Sequence, residues 1–545
     1  MNFEEKLRKL PAAAVWQEYC GFLSLSLPEY MQIQRRLLLE QISLMSRCEL
    51  GRRFFGGTPP KTVEEFRTRV PLTTFGDYAD VLLTQKEELL PAKPVVWLRT
   101  TWEGGDFPAK CAPYSESMLE TYKRNILGAM LLSTSSGPAR FRVRPGSRVL
   151  YSLAPMPYPT GLFPELIDSE IHLRFLPPVR EARKLSFGQQ TRRGYKMAVQ
   201  QGMNLFFGMS SVLAGATRNM ELSGLSQEGG KLRALLGMRL PMLWRMVSGV
   251  YRARRDGVPL QPKDLFKLDG FVCVGTDTTL YKDELERAWG VRPLEITGGT
   301  EPSCMGTETW SKNGMVFFPD ASFYEFIPEQ EMLRNLADPS YTPRTYLMDE
   351  LVAGQKYEIV ITVLKGGAFV RYRVGDVYRC LRLKNPADGL DLPQFEYVDR
   401  IPTVIDIAGF TRITEREIRK VVEMSCLPVG DWFALKEYDD VGHSYLHLYV
   451  ELRTGAPQSP SLSRDILREH LAVYFRYYDG DYKDLKRLLG VDPLAVTMLP
   501  AGAIGRYEQA FGTHLPRVGA PREAVLDLLR LQGMTPPRRG DEPCP

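Results

Sequence analysis

The sequence predicts an α/β protein in which a large N-terminal part is followed by a smaller α+β C-terminal part. At 545 residues the chain is too long for one ordinary hydrophobic core, which favours two or three domains. Between residues 95 and 320, short β-rich runs alternate with helical patterns, as is typical of a largely parallel sheet. Residues 314–398 are strand-rich, and a mixture of helix and strand patterns resumes near residue 400.

The individual elements follow in order along the chain. The first 50 residues predict helices, because Leu37, Leu38, Ile42 and Met45 recur at helical spacing. The alternating region contains strand-like or buried apolar runs at 147–153, 205–213, 270–275 and 292–297, and a helical run at 283–289. The strand-rich region contains runs at 315–319, 323–327 and 357–376. Beyond it, 413–422 predicts a helix, and 432–435 and 445–452 predict strands.

Composition excludes several classes of protein. Hydrophobic residues make up 44% and charged residues 25%, and the net charge of +5 is too small for the length to indicate a nucleic-acid partner. No apolar run reaches membrane-spanning length, and the charged N-terminus lacks a signal-peptide core, so we expect a cytoplasmic protein with no membrane partner. The cysteines form no C-x-x-C pair, which argues against a zinc site or a disulfide framework. The dense basic segments 180–196 and 239–255 predict solvated helix faces.

The segment 357–376 carries the strongest functional pattern. An apolar run, a Gly-Gly break and a second run ending in Arg373-Val-Gly-Asp376 predict two strands. Gly375 permits a sharp turn, which would leave Asp376 at the lip of a sheet. A carboxylate there can accept both hydroxyls of a sugar diol, and Arg373 or Arg371 could face a phosphate. From the residues alone, a nucleotide-binding edge and an ordinary hairpin both remain open.

Four segments in order, 62–78, 323–328, 355–376 and 406–422, resemble the auxin-responsive Gretchen Hagen family of acyl-acid amido synthetases. That family belongs to the adenylate-forming superfamily, together with acyl-CoA synthetases and luciferases. The resemblance implies an N-terminal adenylate-forming domain over 1–400, built of β-sheets with helices plus a distorted β-barrel at about 314–398. It also implies a mobile C-terminal domain over 401–534, followed by a disordered tail at 535–545.

The resemblance implies a reaction and its cofactors, ATP and Mg²⁺. A small carboxylic acid would be adenylated, and the acyl group would pass to an amine, usually that of an amino acid. Asp376 would hold the ribose hydroxyls. In the run Thr297-Gly298-Gly299-Thr300-Glu301, Thr300 would donate to the α-phosphate and Glu301 would serve as the magnesium ligand, with the two glycines against the nucleotide. Thr297 replaces the aromatic residue that packs on adenine in the family, and a Thr-Glu pair after two glycines is also typical of a loop or helix cap.

The phosphate loop of the family is altered here. The matching stretch runs from Thr100 to Lys110, so Thr100, Thr101 and Lys110 are the implied nucleotide contacts. Its length and terminal lysine are kept, but Trp102 and Glu103 replace a hydroxyl and a glycine, and Asp106 adds a second carboxylate. Carboxylates repel a triphosphate unless Mg²⁺ or lysine offsets them.

Two further positions bear on catalysis. Arg400 resembles the hinge arginine of the superfamily and is a candidate catalytic residue, although a structural salt bridge explains it equally well. Glu508 falls where the family has a C-terminal lysine, which reverses the charge. Three readings therefore stand side by side: an amido synthetase, an acyl-CoA ligase, and a degenerate member that binds a nucleotide, an acid or a protein partner without turnover. The acid and the acceptor are not indicated.

Overall fold

A computed structural model describes residues 1–100, 106–107, 109–223, 238–276, 278–409, 411–440, 442–455, 459–478 and 492–535. The chain divides into two compact units. The first comprises Met1–Thr100 and Lys110–Val398, and the second comprises Thr101–Ala109 and Asp399–Pro545. No helix among the described residues is long and apolar enough to cross a membrane.

The first unit contains most of the helices. They are α1 (Phe3–Lys9), α2 (Ala12–Cys20), α3 (Leu27–Met45), α4 (Glu49–Phe55), α5 (Val63–Arg69), α6 (Ala79–Leu82), α7 (Glu116–Ser133), α8 (Phe163–Asp168), α9 (Val179–Ala182), α10 (Phe187–Gln201), α11 (Ser210–Ser223), α12 (Leu240–Asp256), α13 (Pro262–Leu265), α14 (Thr278–Trp289) and α15 (Glu329–Ala337). Short 3₁₀ helices lie at Gly21–Ser24, Phe75–Asp77, Glu87–Leu89, Pro159–Leu162 and Met348–Glu350.

The strands that begin in this unit are β1 (Val96–Arg99), β2 (Cys111–Tyr114), β3 (Arg148–Ser152), β4 (Arg174–Leu176), β5 (Leu205–Met209), β6 (Gly270–Val274), β7 (Leu294–Gly299), β8 (Ser303–Glu308), β9 (Met315–Phe317), β10 (Ser322–Pro328), β11 (Lys356–Val363), β12 (Tyr372–Arg382) and β13 (Gln394–Arg400). Within the described residues β3–β13 form one sheet, in the order β10-β11-β12-β13-β9-β8-β7-β6-β5-β3-β4, and β1 and β2 form a separate hairpin. The sheet is parallel from β4 to β7 and antiparallel from β7 to β9, so the strand direction changes at β7.

The parallel half of the sheet carries a hydrophobic core. Apolar side chains from β3, β5, β6 and α14 meet there, among them Leu150, Phe206, Phe271, Leu285 and Trp289. The indole N–H of Trp289 donates to Thr217 Oγ1 at 2.9 Å, which satisfies its one polar atom inside the core.

The second unit has a smaller sheet of its own. Its helices are α16 (Glu415–Met424), α17 (Pro460–Tyr478), α18 (Ala503–Phe511) and α19 (Arg522–Leu531). Its strands are β14 (Val404–Ile407), β15 (Thr411–Thr414), β16 (Val429–Tyr438), β17 (Ser444–Leu452) and β18 (Leu494–Leu499). β14 and β15 pair, and β16-β17-β18 form a three-stranded sheet. Its apolar core includes Phe433, Tyr449, Leu528 and Leu529.

Most predicted elements are confirmed, with three differences. The run 205–213 is not one segment, because the strand β5 ends at Met209 and α11 begins at Ser210. The region 314–398 also contains a helix, α15, which is too short to show a clear helical period in the sequence. The basic segment at 239–255 is helical as predicted, but α12 exposes apolar side chains as well as arginines. The predicted disordered tail lies outside the described residues beyond position 535.

Candidate active site

The β7–β8 hairpin presents Thr300 and Glu301. Both side chains are buried, at 8% and 7% exposure. Gly298 is required by the close approach of the two strands, because a Cβ at this position would lie 1.9 Å from the carbonyl oxygen of Ser303. The helix-cap interpretation of the Thr-Glu pair is therefore wrong, since these residues connect two antiparallel strands.

Asp376 lies on β12, in a β-bulge. Glu358 pairs with Val377 while Val360 pairs with Arg373, so three residues of β12 stand opposite one residue of β11. Gly375 has a φ of +83°, which glycine adopts without steric cost. The predicted sharp backbone at Gly375 is present, but it bends a continuing strand instead of ending one. Asp376 is partly buried at this bend.

The ends of the altered phosphate loop are held by a reciprocal pair of hydrogen bonds. The amide of Thr100 donates to the carbonyl of Lys110 at 3.0 Å, and the amide of Lys110 donates to Thr100 Oγ1 at 3.0 Å. The Lys110 ammonium lies 6.0 Å from the ring centroid of Phe75. Thr101 lies outside the described residues, as do Trp102 and Glu103.

Hydrogen bonds bring the three predicted segments together. Thr300 Oγ1 donates to the carbonyl of Arg99, the residue that precedes the loop, at 3.4 Å. The hydroxyl of Tyr114 donates to the carbonyl of Thr300 at 2.7 Å, and Tyr372 donates to Glu301 Oε1 at 3.0 Å. The loop base, the β7–β8 hairpin and β12 therefore meet at one place, although they are widely separated in sequence.

The role of the two tyrosines was not predicted from the sequence. Burial raises the pKa of Tyr114 well above its usual value, so its hydroxyl stays protonated and remains a donor. A third tyrosine, Tyr378, shares a hydrogen bond of 2.6 Å with Thr297, the residue that replaces the family aromatic. The sequence did show that β12 is rich in aromatic residues, including Tyr372 and Tyr378. The bulge breaks the two-residue periodicity of the strand, so the sequence pattern does not assign these side chains to one face.

The two arginines before Asp376 are held by carboxylates. Arg371 is buried and donates to both oxygens of Glu325, at 2.9 and 2.8 Å. Arg373 donates to both oxygens of Glu358, at 2.8 and 2.6 Å, and to Asn335 at 2.6 Å. Such bidentate pairs fix the guanidinium planes. In this structure both arginines support β12, and the phosphate contact expected of Arg373 stays a prediction.

Glu301 is the carboxylate that the family resemblance assigns to a magnesium ion, and this assignment stays a prediction. Its Oε1 is oriented by Tyr372, and oxygen ligands are those that Mg²⁺ prefers. Among the described residues no group of three or more His, Cys, Asp or Glu side chains could hold a metal alone. A cation beside Glu301 would therefore take most of its ligands from phosphate oxygens and water, which is how Mg²⁺ commonly binds with nucleotides.

Arg400 and Glu508 belong to the second unit. Arg400 is buried, and its amide donates to Asp399 Oδ1 at 2.8 Å. Burial opposes ionisation of Asp406, but the positive charges of Arg412, then Lys436 and Arg400, keep the pKa of that carboxyl below its usual value. Structural pairing thus accounts for part of the role of Arg400, whose catalytic role stays a prediction.

The charges that depart from the family pattern also have partners in the second unit. Asp106 forms an ion pair with Arg416. Glu508 lies 2.5 Å from His514 Nδ1 and accepts from the amide of Leu515 at 3.3 Å. Both carboxylates are accommodated in this structure by neighbouring groups of the same unit.

The GH3 family central domain matches residues 315–400, which contain β9 to β13. The chain is 28% identical over 232 residues to the probable indole-3-acetic acid-amido synthetase GH3.1 of Oryza sativa subsp. japonica, covering 39% of this chain and 36% of that protein. It is 24% identical over 253 residues to the indole-3-acetic acid-amido synthetase GH3.5 of Arabidopsis thaliana, covering 42% of this chain and 39% of that protein. The resemblance to the GH3 family is confirmed. The alignments span little more than a third of the length of these curated relatives.

Similarity to solved structures extends over nearly the whole chain. The AtGH3.15 acyl acid amido synthetase in complex with 2,4-DB aligns with a TM-score of 0.51 at 16% identity, covering 95% of this chain and 96% of that one. The 2-hydroxyisobutyryl-CoA ligase in complex with 2-HIB-AMP and CoA aligns with a TM-score of 0.53 at 17% identity, covering 91% and 92%. At these identities the likeness concerns the fold. The predicted α/β fold with its two parts is confirmed, and this chain shares that fold with the two solved structures.

Proposed function

We propose that the protein adenylates a small carboxylic acid with ATP and then transfers the acyl group to an amine. The observation that carries this proposal is the convergence of Thr300, Glu301 and β12 with the base of the 100–110 loop. Together these elements supply a hydroxyl from Thr300, a carboxylate from Glu301 and a second carboxylate from Asp376 on β12. Groups of these kinds, held close together, can position a nucleotide so that an acid attacks it in line. The relationship to GH3 proteins supports the same reaction class.

The reaction would proceed in two balanced steps. A carboxylate oxygen of the acid attacks the α-phosphorus of ATP, the bond to the β-phosphate breaks, and pyrophosphate leaves with the electron pair. An uncharged amine then attacks the carbonyl carbon of the acyl-adenylate, AMP leaves, and the amine loses a proton. The first step builds negative charge on the α-phosphoryl oxygens, which positioned donors and a cation stabilise.

Most of the predicted site residues have a role in this proposal. Asp376, at the β12 bulge, accepts from the ribose hydroxyls, as a carboxylate with two acceptor oxygens can. Thr300 donates to the α-phosphate, and Gly298 and Gly299 keep the hairpin backbone close to the nucleotide. Glu301 holds Mg²⁺, which supplies positive charge against the phosphates when bound. Lys110 and Thr100, which lie at the two ends of the loop, contact the phosphates.

ATP–pyrophosphate exchange tests the first step directly. We expect Mg²⁺-dependent exchange with at least one acid in a panel of indole, aromatic and short aliphatic acids. Asp376→Ala should reduce the exchange by about 100-fold or more, because the ribose would lose its main acceptor and the in-line geometry. The matched control is Asp349→Ala, an exposed aspartate that lies 3.7 Å from Arg35. Equal exchange in wild type and Asp376→Ala would contradict the assigned role.

A second candidate function is nucleotide binding without turnover. The observation that favours it is Glu508, whose carboxylate pairs with His514 where the family has a lysine. This candidate predicts ATP binding by calorimetry, weakened by Asp376→Ala, with no exchange for any acid. Product analysis with amino acids and with coenzyme A then separates the amide and thioester alternatives for an active enzyme.

A further inference from the structure

Four arginines meet at the edge of the parallel sheet where the strands begin. Arg148 and Arg174 are the first residues of β3 and β4, and they are direct neighbours in the register of this parallel pair. Arg239 is the N-cap residue of α12, and Arg245 lies in the second turn of the same helix.

Packing around Gly202 places these elements at one corner. A Cβ at Gly202 would lie 3.5 Å from Arg148 Nη2 and 3.1 Å from the sulfur of Met242 on α12. The amide of Arg239 donates to the carbonyl of Gln200 at 3.0 Å, which ties the start of α12 to the end of α10. The guanidinium of Arg148 therefore lies against the first turn of α12.

Among the described residues no carboxylate pairs with these four side chains. Arg148, Arg174 and Arg239 make no side-chain hydrogen bond there, and Arg148 Nε is shielded from water without an acceptor. Arg245 donates only to the carbonyl of Leu265, at 3.3 Å. Burial, and then the positive charges of the other three arginines, lower the pKa of Arg148.

Arg292, at the same edge of the sheet, differs from these four arginines because it has carboxylate partners. Arg292 precedes β7, and its Nη1 lies 2.8 Å from Asp283 and 2.7 Å from Glu286. Clustered cations without such partners repel one another, and an unsatisfied buried donor costs free energy, so this corner is suited to an anion that enters from solution.

We propose that Arg148, Arg174, Arg239 and Arg245 form a phosphate-binding site distinct from the candidate active site. Guanidinium groups match phosphate oxygens in pairs, and the N-terminus of α12 adds its positive dipole end. The two sites lie at opposite edges of the sheet, because Arg148 and Arg174 begin their strands while Thr300 and Glu301 follow the carboxyl end of the parallel strand β7.

Two sources of phosphate fit the surroundings of this corner. A free phosphate needs only the arginines. A phospholipid headgroup would in addition bring acyl chains to α12, which exposes Leu240, Trp244, Val247 and Tyr251 at helical spacing, the first two at 81% and 74%. The same guanidinium groups would bind the headgroup in both cases.

Titration with inorganic phosphate in a low-salt, phosphate-free buffer tests the site by thermal unfolding and calorimetry. Wild type should be stabilised saturably, because a ligand that binds only the folded state raises the unfolding midpoint. Arg148→Gln and Arg239→Gln should each weaken phosphate binding about ten-fold. Arg292→Gln, which removes the same charge at the same edge, should bind like wild type. Arg174→Gln, an exposed position, should raise the unfolding midpoint without phosphate by relieving repulsion, and should reduce the gain on adding phosphate.

Vesicles of phosphatidylcholine with and without phosphatidic acid distinguish the two sources. Sedimentation with the acidic vesicles only, weakened by both Arg239→Gln and Trp244→Ala, assigns the site to a lipid headgroup. Saturable phosphate binding without vesicle binding assigns it to free phosphate. The proposal is overturned if neither phosphate nor acidic vesicles bind, if binding persists in the Arg148→Gln/Arg239→Gln variant, or if Arg292→Gln loses binding to the same extent.

Discussion

The neighbouring glycines Gly298 and Gly299 in the candidate active site differ in how much room their surroundings leave for a side chain. At Gly298 the partner strand leaves no room for a Cβ, since Ser303 contributes backbone atoms that cannot rotate away. At Gly299 a Cβ would meet the ring of Pro302 at 3.3 Å, a contact that a small shift relieves. The sequence indicated both glycines as nucleotide contacts. The structure adds that Gly298 is also needed to form the hairpin that carries Thr300 and Glu301.

Substituting each glycine separately distinguishes the need for a close approach of the two strands from the predicted contact with the nucleotide. Gly298→Ala should lower the free energy of unfolding by about 1–3 kcal/mol, because the strands must move apart, and should abolish exchange activity. Gly299→Ala is the matched control and should have the smaller effect on stability. Urea unfolding and ATP–pyrophosphate exchange measure the two quantities. Equal destabilisation by both substitutions would show that the Ser303 contact does not constrain the hairpin.

At the scale of elements, a buried ionic cluster joins α14 to the two strands of the same hairpin. Lys282 Nζ lies 2.5 Å from Glu308 Oε1 and 3.2 Å from Glu295 Oε2, with all three side chains almost fully buried. One lysine cannot neutralise two carboxylates. Burial raises the pKa of Glu295 to about 7. The positive charge of Lys282 opposes this rise, whereas the negative charges of Glu308 and Glu396 add to it.

The cluster predicts a pH dependence of stability with a definite sign. The unfolded chain releases the Glu295 proton near pH 4.5, while the folded protein keeps it until about pH 7. The stabilisation due to this proton is therefore complete below pH 4.5 and is lost as pH rises through about 7.

Glu295→Gln, which cannot ionise, provides the comparison. The free energy of unfolding of wild type should fall relative to Glu295→Gln between pH 5 and 7, by an amount on the order of 2 kcal/mol, and level off above. Urea unfolding across this range measures the difference, with the exposed Glu88→Gln as control. A difference independent of pH would place the proton elsewhere.

At the scale of the whole molecule, each of the two compact units has its own apolar core. Leu285 lies in the core of the parallel sheet half, and Leu528 lies in the core packed on the β16–β18 sheet. Both side chains are fully buried. Separate cores allow separate cooperative unfolding, as is common for proteins of more than one domain.

Matched truncations in the two cores test this independence. Leu285→Ala and Leu528→Ala should each cost about 2–5 kcal/mol of unfolding free energy, from lost burial and the cavity left behind. Calorimetry should show each substitution lowering one of two transitions and leaving the other in place. A single transition that both substitutions lower equally would mean that the two units unfold together.

Sequence patterns predicted the elements well where burial follows one regular period. The helix at 283–289 and the strand at 292–297 are confirmed as the end of α14 and most of β7, because local periodicity reports the buried face directly. The helix α15 inside the strand-rich region and the break at Ser210 were missed, since nine-residue helices and strand-to-helix junctions carry too few periods. The sequence predicts a turn at Gly375 where the structure has a bulge, because both need the same backbone freedom.

The α/β class and the candidate residue Asp376 follow from local pattern and residue chemistry, and the family resemblance adds Thr300 and Glu301 as candidates. Only the tertiary structure decided that Tyr114 and Tyr372 hold the loop base, hairpin and β12 together, and that Arg371 and Arg373 face carboxylates. These contacts join residues between 15 and 186 positions apart. They depend on how the strands are ordered in the sheet, and no local period encodes that order.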